Sequence, residues 1–132
     1  MLRLIALPLV LSLPLFSHAE SLKDFELSKL LERVARESSV GTPRAINEDI
    51  LDQGYSVDGN ALVNHLSVRP EHAAQMRGNP DSVRVQLAKS VCNNPGYRQL
   101  LARGAVLRYE FTEYKTNLPV TNERFARSDC GQ

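Results

Sequence analysis

Few residues in this 132-residue sequence are of a type that does chemistry, and their spacing limits what that chemistry can be. Beyond the first twenty residues there are two histidines, His65 and His72, and neither has a carboxylate or thiolate at ligand spacing. A zinc-type site needs three or four converging donors. His65 falls on the less apolar face of an expected strand, and His72 in the first turn of an expected helix after Pro70, so both read as solvated side chains. Glu48, Asp49 and Asp52 come nearest to the paired carboxylates of a hydrolase. Successive strand residues point to opposite faces, so spacing alone does not gather these three in one cleft, and they read as a solvated edge. There is no G-x-S-x-G elbow, no glycine-rich phosphate loop, no H-E-x-x-H and no C-x-x-C. The expectation is a protein that is not an enzyme and holds no metal and no cofactor.

The two cysteines, Cys92 and Cys130, raise a different question, because a reactive thiol needs a base beside it and no sulfur partner. The answer depends on compartment. Met1-Leu2-Arg3 is a short positive start, Leu4 to Phe16 is an apolar run broken only by Pro8, Ser12 and Pro14, and Ser17-His18-Ala19 places small residues before Glu20. That is a signal-peptide layout, and the run is shorter than the ~20 residues of a spanning helix. The sequence therefore divides into a leader, 1–19, and a single domain, 20–132, exported to the periplasm or beyond. No cysteine follows the apolar run, so lipid anchoring is not available, and no stable membrane anchor is expected after cleavage. In an oxidising compartment a lone pair of cysteines most simply forms one intramolecular disulfide. Closing the Cys92–Cys130 loop stabilises by roughly 4 kcal/mol on the chain-entropy model.

Charge excludes a further class of partner. The chain carries 16 basic and 15 acidic side chains, a formal charge of +1, with 42% hydrophobic and 23% charged residues. Removing the leader takes one arginine and no acid, which leaves the mature chain balanced. Nucleic-acid backbones and acidic membrane surfaces select strongly basic proteins, so neither is an expected partner.

Local patterns supply the elements. Leu22, Phe25, Leu30, Leu31 and Val34 recur at helical spacing behind Ser21 and Asp24, a capping-box-like pair, and Gly41 and Pro43 end the helix. Ile46, Ile50, Leu51 and Tyr55 lead to Asp58-Gly59, a hairpin signal, after which Leu62, Asn64, Leu66 and Val68 share one face. A phase shift at Ile50-Leu51 followed by Gly54 indicates a bulge. Pro70, Asn79-Pro80 and Asn94-Pro95 each open a helical stretch, and Gly104 closes the last. Ala105, Leu107, Tyr109 and Phe111 then alternate with polar residues, Lys115-Thr116-Asn117 turns, and Val120 to Ala126 returns. The order is helix, hairpin, helices, hairpin, which predicts an α+β fold. An antiparallel sheet of about four strands carries helices packed on one face.

On the last hairpin, Arg108, Glu110, Thr112 and Tyr114 line up on the face away from the helices, with Thr121, Glu123 and Phe125 expected to join them. Tyrosine beside arginine is a composition of binding hot spots. This face is the candidate interaction site, with an ordinary wet sheet face as the alternative.

The run Tyr97-Arg98-Gln99-Leu100-Leu101-Ala102-Arg103-Gly104-Ala105-Val106-Leu107-Arg108-Tyr109-Glu110-Phe111, bracketed by Cys92 and Cys130, resembles the quorum-sensing-regulated virulence factor family of pseudomonads. Thr42-Pro43-Arg44-Ala45-Ile46-Asn47 followed by Tyr55 fits the same family. The resemblance covers essentially all of the chain after Ala19 and rests on no catalytic motif. It implies a secreted or periplasmic α+β protein linked to virulence and cell-density-controlled expression, with no catalytic residues to carry over. The resulting expectation is an exported, non-enzymatic binding protein whose partner is a protein in the envelope or outside the cell. A periplasmic small-ligand carrier or chaperone-like module, using a groove between sheet and helices, is the alternative.

Overall fold

The computed structural model describes residues 15–132, with side chains from residue 22 onward. Residues 1–14, most of the expected leader, lie outside the described residues. The first helix, α1 (Leu15–Ser38), runs straight through Ser21, so the expected cap at Ser21-Asp24 lies within the helix instead of at its start. The buried stripe also differs from expectation. Leu27, Leu31 and Ala35 form the core ridge at i, i+4 and i+8, with Leu30 and Val34 packed beside it, whereas Leu22 and Phe25 are 62% and 59% exposed.

Five strands form one sheet in the order β1-β2-β3-β4-β5. They are β1 (Arg44–Ala45), β2 (Ile50–Asp58), β3 (Ala61–Val68), β4 (Val106–Glu113) and β5 (Pro119–Phe125). The Asp58-Gly59 hairpin forms as expected, pairing Asp58 with Ala61. The bulge also forms: the β2–β3 register shifts between Asp52 and Gly54. Gly54 has φ +106°, and a Cβ there would stand 3.1 Å from Thr42 Oγ1 and 3.2 Å from Ser39 Oγ, so both backbone angle and space favour glycine.

Between β3 and β4 lie α2 (Pro70–Gly78), α3 (Pro80–Cys92) and α4 (Pro95–Ala102), each opened by its proline. Asn94 caps α4, its side chain accepting from the Tyr97 N–H at 3.1 Å. Asn79 makes no such cap; its amide donates to the Gln75 carbonyl, closing α2 instead. This three-helix crossover corrects the expected antiparallel sheet. β3 and β4 run parallel, so the sheet is mixed, with β1 as a short fifth strand. Parallel neighbours need a long crossover, which the helices supply.

All four helices lie on one face of the sheet. Leu27, Leu31 and Ala35 of α1 meet Val91, Leu100, Leu101, Leu62, Leu107 and Phe125 in the main core. Ala73 and Met76 of α2 cover Leu66, Val68 and Phe111. The Cys92–Cys130 disulfide, with Cα atoms 5.3 Å apart, ties the end of α3 to the 3-10 turn Arg127–Cys130 after β5.

Candidate functional site

Among the described residues no helix covers the opposite face of the sheet, and the pairing register determines what stands there. In the parallel pair, Val63 faces Arg108, His65 faces Glu110 and Ser67 faces Thr112; from β2, Ser56 pairs with Val63 and Asp58 with Ala61. Three of the four proposed residues, Arg108, Glu110 and Thr112, thus lie in one row on this open face. Tyr114 lies just past the end of β4, its N–H donating to the Val68 carbonyl at 2.7 Å, and it is 44% exposed. The expected companions from β5 do not join them. Phe125 pairs with Leu107, Glu123 with Tyr109 and Thr121 with Phe111, so all three belong to the helix side, and Asn122 and Arg124 stand beside Glu110 and Arg108. Phe125 is fully buried there, its ring edge-on to Tyr109 at 6.1 Å and covered by the Arg84 guanidinium at 4.6 Å. The one-residue offset comes from a bulge in β5: Thr112 pairs with Pro119 next to the turn, but the register shifts between Thr112 and Phe111, and a one-residue slip moves every later side chain across the sheet.

The open face is a connected polar chain. Asp58 Oδ2 accepts from Arg108 Nη1 at 3.1 Å, and Arg108 Nη2 reaches Glu110 Oε1 at 3.0 Å. Glu110 Oε2 is 3.3 Å from His65 Nδ1, and His65 Nε2 is 2.7 Å from Ser56 Oγ. Asp58 is 70% exposed, so its pair with Arg108 contributes little to stability. Beneath the chain lies a small apolar patch, Ala61, Val63 and Val106, buried although no helix of the described residues covers it. Arg108 Nε is sealed from water with no hydrogen-bond partner, an arrangement that costs about 1–3 kcal/mol.

The order Ser56–His65–Glu110 is that of a nucleophilic relay. Here, however, the His65 and Glu110 side chains are 42% and 32% exposed, so water reaches the pair and screens it. What the chain does is join three strands, β2, β3 and β4. Sequence reasoning missed His65, Ser56 and Asp58 as members of this face. The hairpin turn would have given the β2–β3 part, while the parallel register that brings His65 to Glu110 has no local signal.

At the far end of the row a depression of about 360 Å³ opens, lined by Tyr114, Arg69, Ser67 and Leu51 among others. Glu48 and Asp49 stand at its margin, and Asp49 Oδ2 lies 3.8 Å from His72 Nδ1. Asp52, expected on a solvated edge with them, is only 3% exposed. Its carboxylate accepts from the Gly54 N–H and from Asn64 Nδ2, both at 2.9 Å, and so fixes the bulge. On the helix side, burial first and then the Tyr97 hydroxyl at 3.4 Å push the Tyr55 phenol well above the usual tyrosine range; burial does the same to Tyr109. Among the described residues no group of three or more His, Cys, Asp or Glu side chains gathers to hold a metal, and no helix is long and apolar enough to cross a membrane.

The family model "Putative quorum-sensing-regulated virulence factor" matches residues 20–131. The chain belongs to that family. As a family member it is similar to a "putative secreted protein" from Pseudomonas aeruginosa. The two are 75% identical, with a TM-score of 0.81 over 83% of this chain and 96% of that one. It is an exported protein, secreted or periplasmic. The fold is shared more widely. A pilotin from the Vibrio vulnificus type 2 secretion system matches with TM-score 0.73 at 14% identity, over 83% of this chain and 96% of that one. The type 2 secretion system pilotin of Vibrio cholerae matches at 0.63 and 15%, over 85% and 99%. At these identities the likeness is one of fold. No curated protein matches the sequence.

Proposed function

We propose that the mature chain, residues 20–132, is a non-enzymatic interaction module that binds another protein in the envelope or outside the cell through the open face of its sheet. The observation that carries this reading is Arg108, which lies over an apolar patch between two carboxylates with its Nε unpartnered. Folding alone does not call for such an arrangement; the Arg108 side chain is 27% exposed, within reach of a partner, and arginine is among the residues enriched at interface hot spots. Tyr114 and its adjoining depression give the row an aromatic anchor and a place for a partner side chain at one end. The occurrence of the same fold in two pilotins supports reading it as a platform for protein contacts.

The carrier alternative has less support. The space between sheet and helices is filled by Leu101, Leu107, Phe111 and Phe125, all buried.

Photo-crosslinking in the producing cell tests the proposal. A photoreactive residue at Thr112 or Tyr114 is expected to yield a discrete protein adduct, absent when the same residue stands at exposed Val85 on the helix side. Adducts from position 85 alone would overturn it. Intact mass of the unreduced native protein tests the boundary, with a chain starting at Glu20 as the expected species.

A further inference from the structure

A second surface, on the helix side and apart from the open face, is built differently. α1 and α4 both contribute to the main core, α1 with Leu27 and Leu31 and α4 with Leu100 and Leu101, and between them they leave an open trough of about 340 Å³. Its walls are Leu30 and Val34 from α1 and Tyr97 and Leu100 from α4. A second depression of about 420 Å³ adjoins it, sharing Leu30 and Arg103 and reaching Phe25. Phe25 is 59% exposed and contributes nothing to the core. The two depressions follow α1 from Phe25 to Val34, a rise of roughly 14 Å, or about two and a half helical turns.

Charge on the rim is one-sided. Lys29, Arg33 and Arg103 line it against a single acid, Glu26. Among the described residues neither Arg33 nor Arg103 has an ion-pair partner, and Lys29 has only Glu32, at 3.5 Å on the exposed helix surface. An enclosed pocket buries most of a small ligand, which an open trough does not. An elongated apolar floor with apolar points one to two turns apart fits instead the face of a helix.

We propose that the trough between α1 and α4 docks an acidic amphipathic helix of a partner protein, with apolar residues on the Phe25–Leu30–Val34 line and carboxylates against Arg33 and Arg103. This surface is independent of the open face.

The test uses the mature, oxidised protein and two synthetic 18-residue helical peptides with the same leucine stripe, one flanked by glutamates and one by lysines. In fluorescence anisotropy at low salt the glutamate peptide is expected to bind at least tenfold tighter. Arg33→Glu with Arg103→Glu should reverse the preference, and Arg108→Ala with Tyr114→Ala should leave it unchanged. Backbone amide shifts of the unmodified protein on adding the glutamate peptide should centre on Leu30, Val34, Tyr97 and Leu100, a readout that needs no variant to fold. Equal affinity for both peptides, preference for lysine, binding of neither, or shifts centred on β4 would each overturn the proposal. Binding to phosphatidylglycerol vesicles without binding to the glutamate peptide would overturn it in favour of a lipid surface.

Discussion

The two faces of the sheet are made from the same strands, yet they are organised on opposite principles. On the helix side the alternation from β3 and β4 delivers Leu62, Leu66, Val68, Leu107 and Phe111 into two continuous cores, and its polar exceptions, Asp52 and Asn64, satisfy each other. On the open side three small apolar residues lie under a chain of five polar ones, and one nitrogen is left unsatisfied. The difference teaches where to look for function. Packing specifies the first face so tightly that its residues report on folding. The second is underdetermined by folding, and its departures from an ordinary wet surface are what the proposed partner site rests on.

If that division holds, substitutions in the core between sheet and helices should act on stability. The largest effect is expected from Phe125→Ala, which opens a cavity and removes the ring that Tyr109 and Arg84 pack against. A loss of about 3–5 kcal/mol in denaturant unfolding is expected. Replacing Cys92 and Cys130 together by serine should cost about 2–4 kcal/mol in the same measurement, because the unfolded chain regains the freedom of the closed loop. Asp52→Ala strands the Gly54 N–H, leaves the Asn64 amide only the Gly54 carbonyl as acceptor, and should cost about 2 kcal/mol.

Alkaline titration sharpens the contrast further. Tyr55 and Tyr109 are held protonated by burial, so the unfolded state releases these protons first. Their contribution is complete below the unfolded value near 10 and declines above it, by up to about 1.4 kcal/mol per pH unit for Tyr109 and by less for Tyr55, which solvent screens more. Stability measured against pH should be level with respect to these groups up to about pH 10 and fall beyond. Tyrosinate absorbance of the folded protein should lag behind that of the unfolded chain.

The smallest effect is expected on the open face. Arg108→Leu exchanges two exposed-side ion pairs and an unsatisfied Nε for apolar contact with Val63 and Val106, and should change stability by less than about 1 kcal/mol. The same change should abolish the Tyr114 crosslink. A loss of 3 kcal/mol or more from Arg108→Leu would break the comparison, since it would make the open face a structural element after all.

How much of this was legible in the sequence follows the range of each interaction. Local chemistry was read correctly: proline at three helix starts, Asp58-Gly59 at the hairpin, Gly54 at the bulge, and alternation in β4. Two long-range facts were not. Nothing in the pattern of Leu62 to Val68 says that its neighbour is β4 and that the two run parallel, because the intervening helices set the direction. Nor does β5 announce its register; Thr121, Glu123 and Phe125 read as a surface row until pairing with Phe111, Tyr109 and Leu107 turns them inward. The candidate row itself was visible because Arg108, Glu110 and Thr112 share one strand. His65, Ser56 and Asp58 come from two other strands and required the sheet to be assembled. On α1 the error ran the other way. Leu22 and Phe25 fit a helical stripe, but the sheet beneath meets only the Leu27–Leu31–Ala35 ridge.

The position of the disulfide has a consequence for the order of events during export. Cys130 lies beyond the last strand of the sheet, and its partner closes the third helix. A chain that crosses the membrane amino end first exposes Cys92 to the oxidising side while β4 and β5 are still threading through. The thiol must therefore wait, reduced or capped, until the whole sheet has emerged. The bridge is thus a seal that closes only after the last strand has crossed.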